Sequence, residues 1–376
     1  MKPVVAHLTG QYLPLTENWL YHNQIKNLKR YDPIVIAQGT MNLDKFPTQN
    51  VYSIPECSFI MKMFNRIQIK FTGSYPTRHF ELILKKNNVK LLHAHFGTEG
   101  YRYLKLKKNL TLPMITTFYG FDVSMTSRMP HWKKNYVHLF QDGDLFLAEG
   151  NNMKKELIKI GCPAEKVIVQ HLGVDLNKFY FKSRTLSDKS KITILIAGSF
   201  REKKGIPFAI EAFAKVKEDH PDIQLRIIGD GPMRGQIEAL IGELGLFSSV
   251  ILLGYQHHGT FLDEVMNAHI FMLPSITAHN GDTEGGAPVA IIEAQATGLP
   301  VISSYHADIP EVVADGESAL LAPERDVETL AKHLEYLVEH SDVWDKMGRA
   351  GREHVTREYN VMVQVGKLEE IYDELY

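Results

Sequence analysis

Strand-like and helix-like segments alternate along nearly the whole chain, which restricts it to parallel sheets covered by helices. In the first half, Val4–Thr9, Ile34–Gln38, Val89–His95, Met114–Phe118, Leu145–Ala148 and Val167–Gln170 have the character of strands. Amphipathic stretches such as Asn18–Arg30, Tyr101–Lys108 and Asn152–Ile160 lie between them. In the second half the strands are Ile192–Ala197, Leu225–Ile228, Val250–Leu253, Ile270–Leu273 and Pro300–Ser303. Their partner helices fall near Ile206–Lys217, Met233–Leu244, Phe261–Asn267 and Val289–Thr297. The runs ITILIAG and HIFMLP are almost unbroken apolar segments, as strands covered on both faces require. The expected class is α/β, with doubly wound parallel sheets.

The 376 residues are too many for one ordinary core and suit two. The polar stretch Asn177–Lys191 is the expected linker. It would separate a first domain, 1–178, from a second, 190–357, with a last helix over about 358–376 packing back on the first. Charge divides at the same place. Residues 1–180 hold 24 Lys+Arg and 13 Asp+Glu, a balance of +11, whereas the remainder holds 18 and 31, a balance of −13. Two domains with different partners follow, the basic one suited to a membrane surface, a polyanionic lipid carrier or nucleic acid. Two cysteines, Cys57 and Cys162, exclude a disulfide scaffold and suit a reducing cytoplasm. The N-terminal run MKPVVAHLTG suits a first strand and not a signal peptide. No segment approaches the ~18 consecutive apolar residues of a membrane span.

Three segments of the second half carry chemistry. Ala197–Gly205, AGSFREKKG, leaves a buried strand and opens a helix, placing Arg201, Lys203 and Lys204 beside free backbone N–H groups; it suits a diphosphate. Gly229–Gly235, GDGPMRG, has the spacing GxGxxxG and follows the domain's second strand, so it is a tight turn and not a dinucleotide fingerprint. Asp282–Ser304 places Glu284 before Gly285, Gly286, Ala287 and Pro288, and then Glu293 inside the apolar helix IIEAQA. A carboxylate in such surroundings needs partners, and the vicinal hydroxyls of a ribose would supply them.

In the first half, HAHFG (His93–Gly97) and TTFYGFD (Thr116–Asp122) end strands, where ligands bind in doubly wound sheets. His93 and His95 are expected on opposite faces of their strand, with no third ligand nearby, and so as structural residues and not a metal pair. Asp142-Gly143-Asp144 imitates a metal-binding DxD but precedes a strand, so it is taken as a helix-end turn. Residues 58–72, SFIMKMFNRIQIKFT, put Lys62, Arg66 and Lys70 on one helical face and Phe59, Met63 and Ile67 on another. This is the pattern of an interfacial basic helix or of an ordinary surface helix.

Together these segments resemble glycosyltransferase family 4, the retaining GT-B enzymes, and most of all those assembling bacterial exopolysaccharide, colanic-acid-type polymers or lipopolysaccharide. The likeness runs through LTENWL, HAHFG, TTFYGFDVS, GNNMKKELIKIGCP, HLGVD, GSFREKKG, IIGDGP, the Glu284/Glu293 loop and DIPEVVADG. It implies two Rossmann-like domains facing a cleft and transfer of a hexose-type sugar from a UDP- or GDP-sugar, without metal or other cofactor. The acceptor would be a glycan or lipid-diphosphate-linked glycan at the inner face of a membrane. By resemblance, Lys204 with Arg201 binds the diphosphate, Glu293 the ribose, and Glu284 with its turn the transferred sugar. Ser199, Gly229 and Gly254 join the donor side, Tyr119 the catalytic group, and Gly10, His95 and Asp122 the acceptor side.

The sequence departs from the family pattern in three places. Ser199 replaces an arginine, Tyr119 replaces the histidine of HGxD, and eight residues instead of seven separate Glu284 from Glu293. An epimerase of the same fold, or a non-catalytic partner subunit that binds nucleotide sugar, are the alternatives.

Overall fold

The computed structural model describes residues 2–14, 18–53, 63, 67–69, 73–186 and 191–376, apart from the side chains of Asn18 and His258. It divides into two compact units, residues 1–173 with 361–376, and residues 174–360. The boundary therefore falls at Gly173–Val174, ahead of the polar stretch expected to hold it. Residues Val174–Asn360 belong to the second unit, where Arg184 is buried and donates to the carbonyls of Val265 and Met266, both at 3.1 Å.

The first unit is built on seven parallel strands: β1 (Val4–Tyr12), β2 (Asp32–Thr40), β3 (Val51–Ser53), β4 (Val89–His95), β5 (Met114–Thr117), β6 (Leu145–Ala148) and β7 (Val167–Val169). Their order is β3-β2-β1-β4-β5-β6-β7. One face carries the helices Gly97–Leu110 and Pro130–Asp142, packed through Tyr103, Leu106, Tyr136 and Leu139 against Ala6, Leu8, Leu92 and Ala94. The other face carries the final helix, Val361–Leu375, whose Leu368, Ile371 and Tyr372 meet Val5, Leu91, Ile115 and Leu147. That helix is fixed by polar ties as well. Glu369 Oε1 accepts from the backbone N–H of Lys29 and Arg30, each at 2.6 Å, and Gln170 Nε2 donates to Gln364 Oε1 at 2.9 Å. The stretch expected as a helix from Asn18 instead forms a short α-turn, Asn18–Leu20, and one wide turn, Tyr21–Ile25, closed by Lys26 N to Tyr21 O.

The second unit holds six parallel strands: β8 (Ile192–Ala197), β9 (Ile223–Ile228), β10 (Val250–Gly254), β11 (Ile270–Met272), β12 (Val301–Ser304) and β13 (Ala319–Ala322). Their order is β10-β9-β8-β11-β12-β13. β8, β11 and β12 are buried throughout, which accounts for their unbroken apolar sequences. The two strands absent from the sequence reading, β3 and β13, are both edge strands, of three and four residues.

Among the described residues no helix is long and apolar enough to cross a membrane. Cys162 is a buried free thiol, pushed up to about 12 by burial, while Cys57 lies outside the described residues. The basic segment 58–72 also lies outside them, save Met63 and Ile67–Ile69.

Candidate functional site

Strand order in the second sheet reverses between β8 and β11, so the carboxyl ends of these strands border the crevice that a doubly wound sheet offers a ligand. The chain leaving β8 makes one 3-10 turn at Glu202–Lys204 and enters helix Ile206–Asp219 through Gly205. Gly205 has φ 63°, and a Cβ there would stand 1.9 Å from the Pro274 carbonyl oxygen. Only glycine lets the loops after β8 and β11 touch in this way. Ile276 N donates to Lys203 O at 2.8 Å across the same contact. Gly229 serves the turns after β8, β9 and β10 similarly. Its absent Cβ would meet Gly198 O at 1.9 Å, and its N–H donates to Gly254 O at 2.9 Å. GDGPMRG is thus a tight turn, with Arg234 paired to Asp230 and Glu238.

The turn Asp282–Pro288 is fastened to the β8 loop by two lysines. Lys203 Nζ donates to Thr283 O at 2.9 Å and pairs with Asp282 at 3.3 Å. Lys204 Nζ lies 2.9 Å from the Glu284 carboxylate, which also accepts from Ser275 Oγ at 2.8 Å. Burial alone would raise the Glu284 carboxyl. Lys204 and Lys203, with the Lys204 and Ser275 hydrogen bonds, hold it below the usual carboxylate range. Gly285, at φ 79°, turns the chain immediately afterwards.

The helix Val289–Ala296 then carries Glu293, half-buried, with no hydrogen bond or ion pair to its carboxyl among the described residues. Burial pushes Glu293 up to about 8 against the pull of Lys178. A carboxyl left this way gains from two incoming hydroxyl donors. Arg201 is exposed at the mouth of the β8 loop, its guanidinium likewise without a partner among the described residues, and Ser199 is exposed beside it. Lys204, Arg201, Ser199 and the Glu284 turn thus gather round the carboxyl ends of β8 and β11, with Glu293 on the helix that follows.

In the first sheet the order reverses between β1 and β4. Gly10 lies towards the end of β1 and His95 at the end of β4. A Cβ on Gly10 would stand 3.2 Å from the carboxylate of Glu99, a buried residue in the first turn of helix Gly97–Leu110. Glu99 Oε1 pairs with Arg102 at 2.6 Å, and its buried Oε2 has no hydrogen-bond partner among the described residues. Asp122 spends both oxygens on backbone, accepting from Gly97 N at 2.8 Å and Tyr119 N at 2.9 Å. It braces the turns after β4 and β5, and burial pushes it up to about 6 against those bonds.

The histidines correct the sequence reading. Residues two apart on a strand share a face, and His93 and His95 indeed lie side by side, with ring centroids 4.4 Å apart. A third imidazole joins them, because β1 and β4 pair with His7 opposite His93. His7 Nδ1 is 3.0 Å from His95 Nε2, and His95 Nδ1 is 2.7 Å from the Tyr119 hydroxyl. His93 bonds the hydroxyls of Tyr372 at 2.6 Å and Thr117 at 2.7 Å. Burial depresses all three, so the rings are neutral. They form a group of metal-ligand geometry that the chain's local spacing did not reveal. Five of the six ring nitrogens are engaged in hydrogen bonds, and His7 Nε2 is buried without one among the described residues. The Asp142–Asp144 turn ends helix Pro130–Asp142, each aspartate paired with a lysine, Lys108 at 2.7 Å and Lys107 at 3.1 Å.

Sequence reasoning missed Ser275, His306 and Glu324, which brace the Glu284 turn, and Glu99 and His7. Each follows or sits in a strand near the ligand edge, the one signal that could have singled them out.

Residues 178–354 match the family model "Glycosyl transferases group 1" and residues 27–178 match "Glycosyltransferase Family 4". The amylovoran biosynthesis glycosyltransferase AmsK of Erwinia amylovora is 36% identical over 284 residues, 75% of this chain and 69% of that protein. The putative colanic acid biosynthesis glycosyltransferase WcaL of Escherichia coli K12 is 34% identical over 273 residues, 72% of this chain and 67% of that protein. The Salmonella typhimurium WcaL is matched over 66% of its length, so the chain spans about two thirds of such relatives. Among solved structures, Anabaena Alr3699/HepE in complex with UDP superposes with TM-score 0.81 at 16% identity, covering 100% of both chains. A glycosyltransferase from Rickettsia africae gives 0.80 at 19%, covering 100% and 98%. At such identities the superpositions establish the fold.

Proposed function

The chain belongs to the family 4 glycosyltransferases, of GT-B fold, and we propose that it moves a hexose-type sugar from a UDP- or GDP-sugar to a glycan or lipid-linked glycan during exopolysaccharide assembly. The observation that carries this reading is the placement, within one unit, of a cationic loop at the sheet's switch point and, on the helix Val289–Ala296 beyond β11, a carboxyl with no hydrogen bond or ion pair among the described residues. Lys204 and Arg201 suit a diphosphate, and Glu293 suits a ribose.

In this reading Lys204 and Arg201, with the backbone N–H groups of the β8 turn, neutralise the charge that grows on the leaving diphosphate, so that no metal is required. Glu284, fixed by Lys204 and Ser275, meets the sugar hydroxyls. The acceptor side is the loop end of the first sheet at Gly10 and Tyr119, backed by His95 and Asp122, which are buried and bonded within the protein. Attack comes from the face the diphosphate leaves, with the departing phosphate taking the acceptor proton, so configuration is retained. The AmsK and WcaL relatives support the exopolysaccharide setting. The basic first unit supports contact with an anionic membrane surface.

The test is a thermal-shift screen with UDP- and GDP-sugars in the presence of EDTA, followed by transfer assays on the stabilising donor. A nucleotide sugar at ~100 times its Kd should stabilise the folded state by about 2.7 kcal/mol. Failure of every nucleotide sugar to stabilise or react, or a strict need for divalent metal, would overturn the respective part of the reading.

A further inference from the structure

Resting on that reading, we propose that His306 is a positioning residue for the donor sugar: its imidazole sets the sugar-contacting turn by holding the backbone N–H of Glu284. His306 follows β12 and is 3% exposed. Its Nε2 lies 3.1 Å from Glu284 N, and its Nδ1 lies 2.6 Å from Glu324 Oε1.

The two partners fix the tautomer. A backbone N–H only donates, so Nε2 must present a lone pair. A carboxylate only accepts, so Nδ1 must carry the proton. Glu324 is the anion this requires: burial would raise it, but hydrogen bonds from His306 and Thr277 hold it below the ordinary carboxylate range. Glu324 also accepts from Thr277 N at 2.8 Å and Thr277 Oγ1 at 3.2 Å, and pairs with Arg325 at 3.2 Å. The loops after β11, β12 and β13 are thereby clamped together, and the imidazole passes that clamp on to Glu284.

Glu284 is thus pinned twice. Its carboxylate is held by Lys204 and Ser275, and its main chain by His306. Asp308 N adds a long contact to Gly286 O at 3.4 Å. Between these two ties Ala307 is held at φ 47°, a left-handed conformation that costs an alanine free energy. Strain kept between two contacts to one turn marks a loop built to place that turn. Eight residues separate Glu284 from Glu293, so the turn's position has to come from outside the helix, and His306 supplies it.

Loss of the imidazole should affect the sugar and spare the nucleotide. Among the described residues no hydrogen bond or ion pair joins His306 to Lys204, Arg201 or Glu293, so a nucleoside diphosphate should bind whether or not the imidazole is there. Two substitutions dissect the ring. His306→Gln can bring an amide oxygen near the place of Nε2, whereas His306→Asn reaches only the place of Nδ1 and leaves Glu284 N–H unmet. Glu324→Leu contacts neither the turn nor the sugar; it releases Thr277 and Arg325 together with the imidazole, which can then take the other tautomer.

Calorimetry and steady-state kinetics on the full chain should show an unchanged Kd for UDP or GDP in all three variants. The KM for the nucleotide sugar should rise ~10-fold in His306→Asn and in Glu324→Leu, and less in His306→Gln. A wild-type nucleotide-sugar KM in both His306→Asn and Glu324→Leu overturns the inference. So does an equal loss of UDP or GDP affinity in them, which marks a structural role alone. If the wild-type protein itself binds no nucleotide or nucleotide sugar, it is the functional reading that fails, and this result is distinct from either.

Discussion

Lys204 and Glu284, 80 residues apart in sequence, form a largely buried ion pair at the switch point of the second sheet, with side chains 14% and 7% exposed. The residue expected to bind the leaving diphosphate and the residue expected to bind the sugar are therefore partners before any substrate arrives. Removing one member of a buried pair strands the other, at a cost of ~3 kcal/mol. Lys204→Ala should lower both thermal stability and turnover, the latter by at least ~100-fold. The double substitution Lys204→Ala/Glu284→Gln should recover most of the stability and none of the turnover. Urea denaturation with donor-turnover assays distinguishes the two effects. Wild-type turnover in Lys204→Ala would remove Lys204 from the reaction.

Glu293 gives a pH dependence with a definite sign. Its carboxyl, pushed up to about 8, holds a proton at neutral pH in the free protein. Two ribose hydroxyls would favour the ionised form, so nucleotide binding releases that proton below about pH 8. Affinity should fall as pH drops from 8.5 to 6.5, by up to ~10-fold per pH unit. Stability runs the other way. A carboxyl whose folded value exceeds its unfolded one contributes a loss of stability that develops as pH rises from about 4.5 through about 8. Glu293→Gln should therefore raise the melting temperature at pH 8 more than at pH 5 while weakening nucleotide binding. Calorimetric titrations and melts at both pH values check this, and a pH-independent Kd in wild type would remove Glu293 from the ribose site.

The regular parts of this architecture are legible because their signals are local. ITILIAG becomes the fully buried β8, and Ala197–Gly205 becomes a strand–turn–helix with its cations at the switch point. Gly229 acts as a turn glycine, as its spacing implies. What local pattern does not hold is pairing across the chain. His7 and His95 meet over 88 residues because β1 and β4 are neighbours in the sheet, and no spacing around HAHFG announces it. His306 reaches Glu284 from another strand's loop, 22 residues on. The placement of His93 and His95 on opposite faces failed for a different reason: the strand period of two, applied correctly, puts them together.

The buried histidines predict acid sensitivity of the first unit. All three are depressed by burial, His7 to about 3. An imidazole whose folded value lies below its unfolded one lets the unfolded chain bind the extra proton, so stability falls as pH drops below about 6.5. Each such ring can cost up to about 1.4 kcal/mol per pH unit until its folded value is reached. Hydrogen exchange at pH 7 and pH 5, corrected for intrinsic rates, should show selective loss of protection in β1, β4 and β5. Equal protection at both values would mean that the rings are not held neutral.

Tyr119 stands where the family pattern has histidine, and its hydroxyl continues the line His7–His95–Tyr119 to the carboxyl end of β5. Burial holds the phenol well above its usual range, so it works as a neutral hydrogen-bonding group. Its ring packs 4.2 Å from Trp19 and 4.9 Å from Phe96, contacts that phenylalanine would keep. Tyr119→Phe therefore deletes one oxygen and strands His95 Nδ1, at ~1–3 kcal/mol. That loss of stability is expected whatever the hydroxyl does in the reaction. If it also orients the acceptor, transfer should fall ~10-fold or more while the Kd for UDP or GDP stays unchanged, because Lys204, Arg201 and Glu293 belong to the other unit. Parallel measurement of melting temperature, nucleotide Kd and transfer rate separates these effects. A less stable variant with an undiminished transfer rate would assign Tyr119 to the support of the histidine cluster alone.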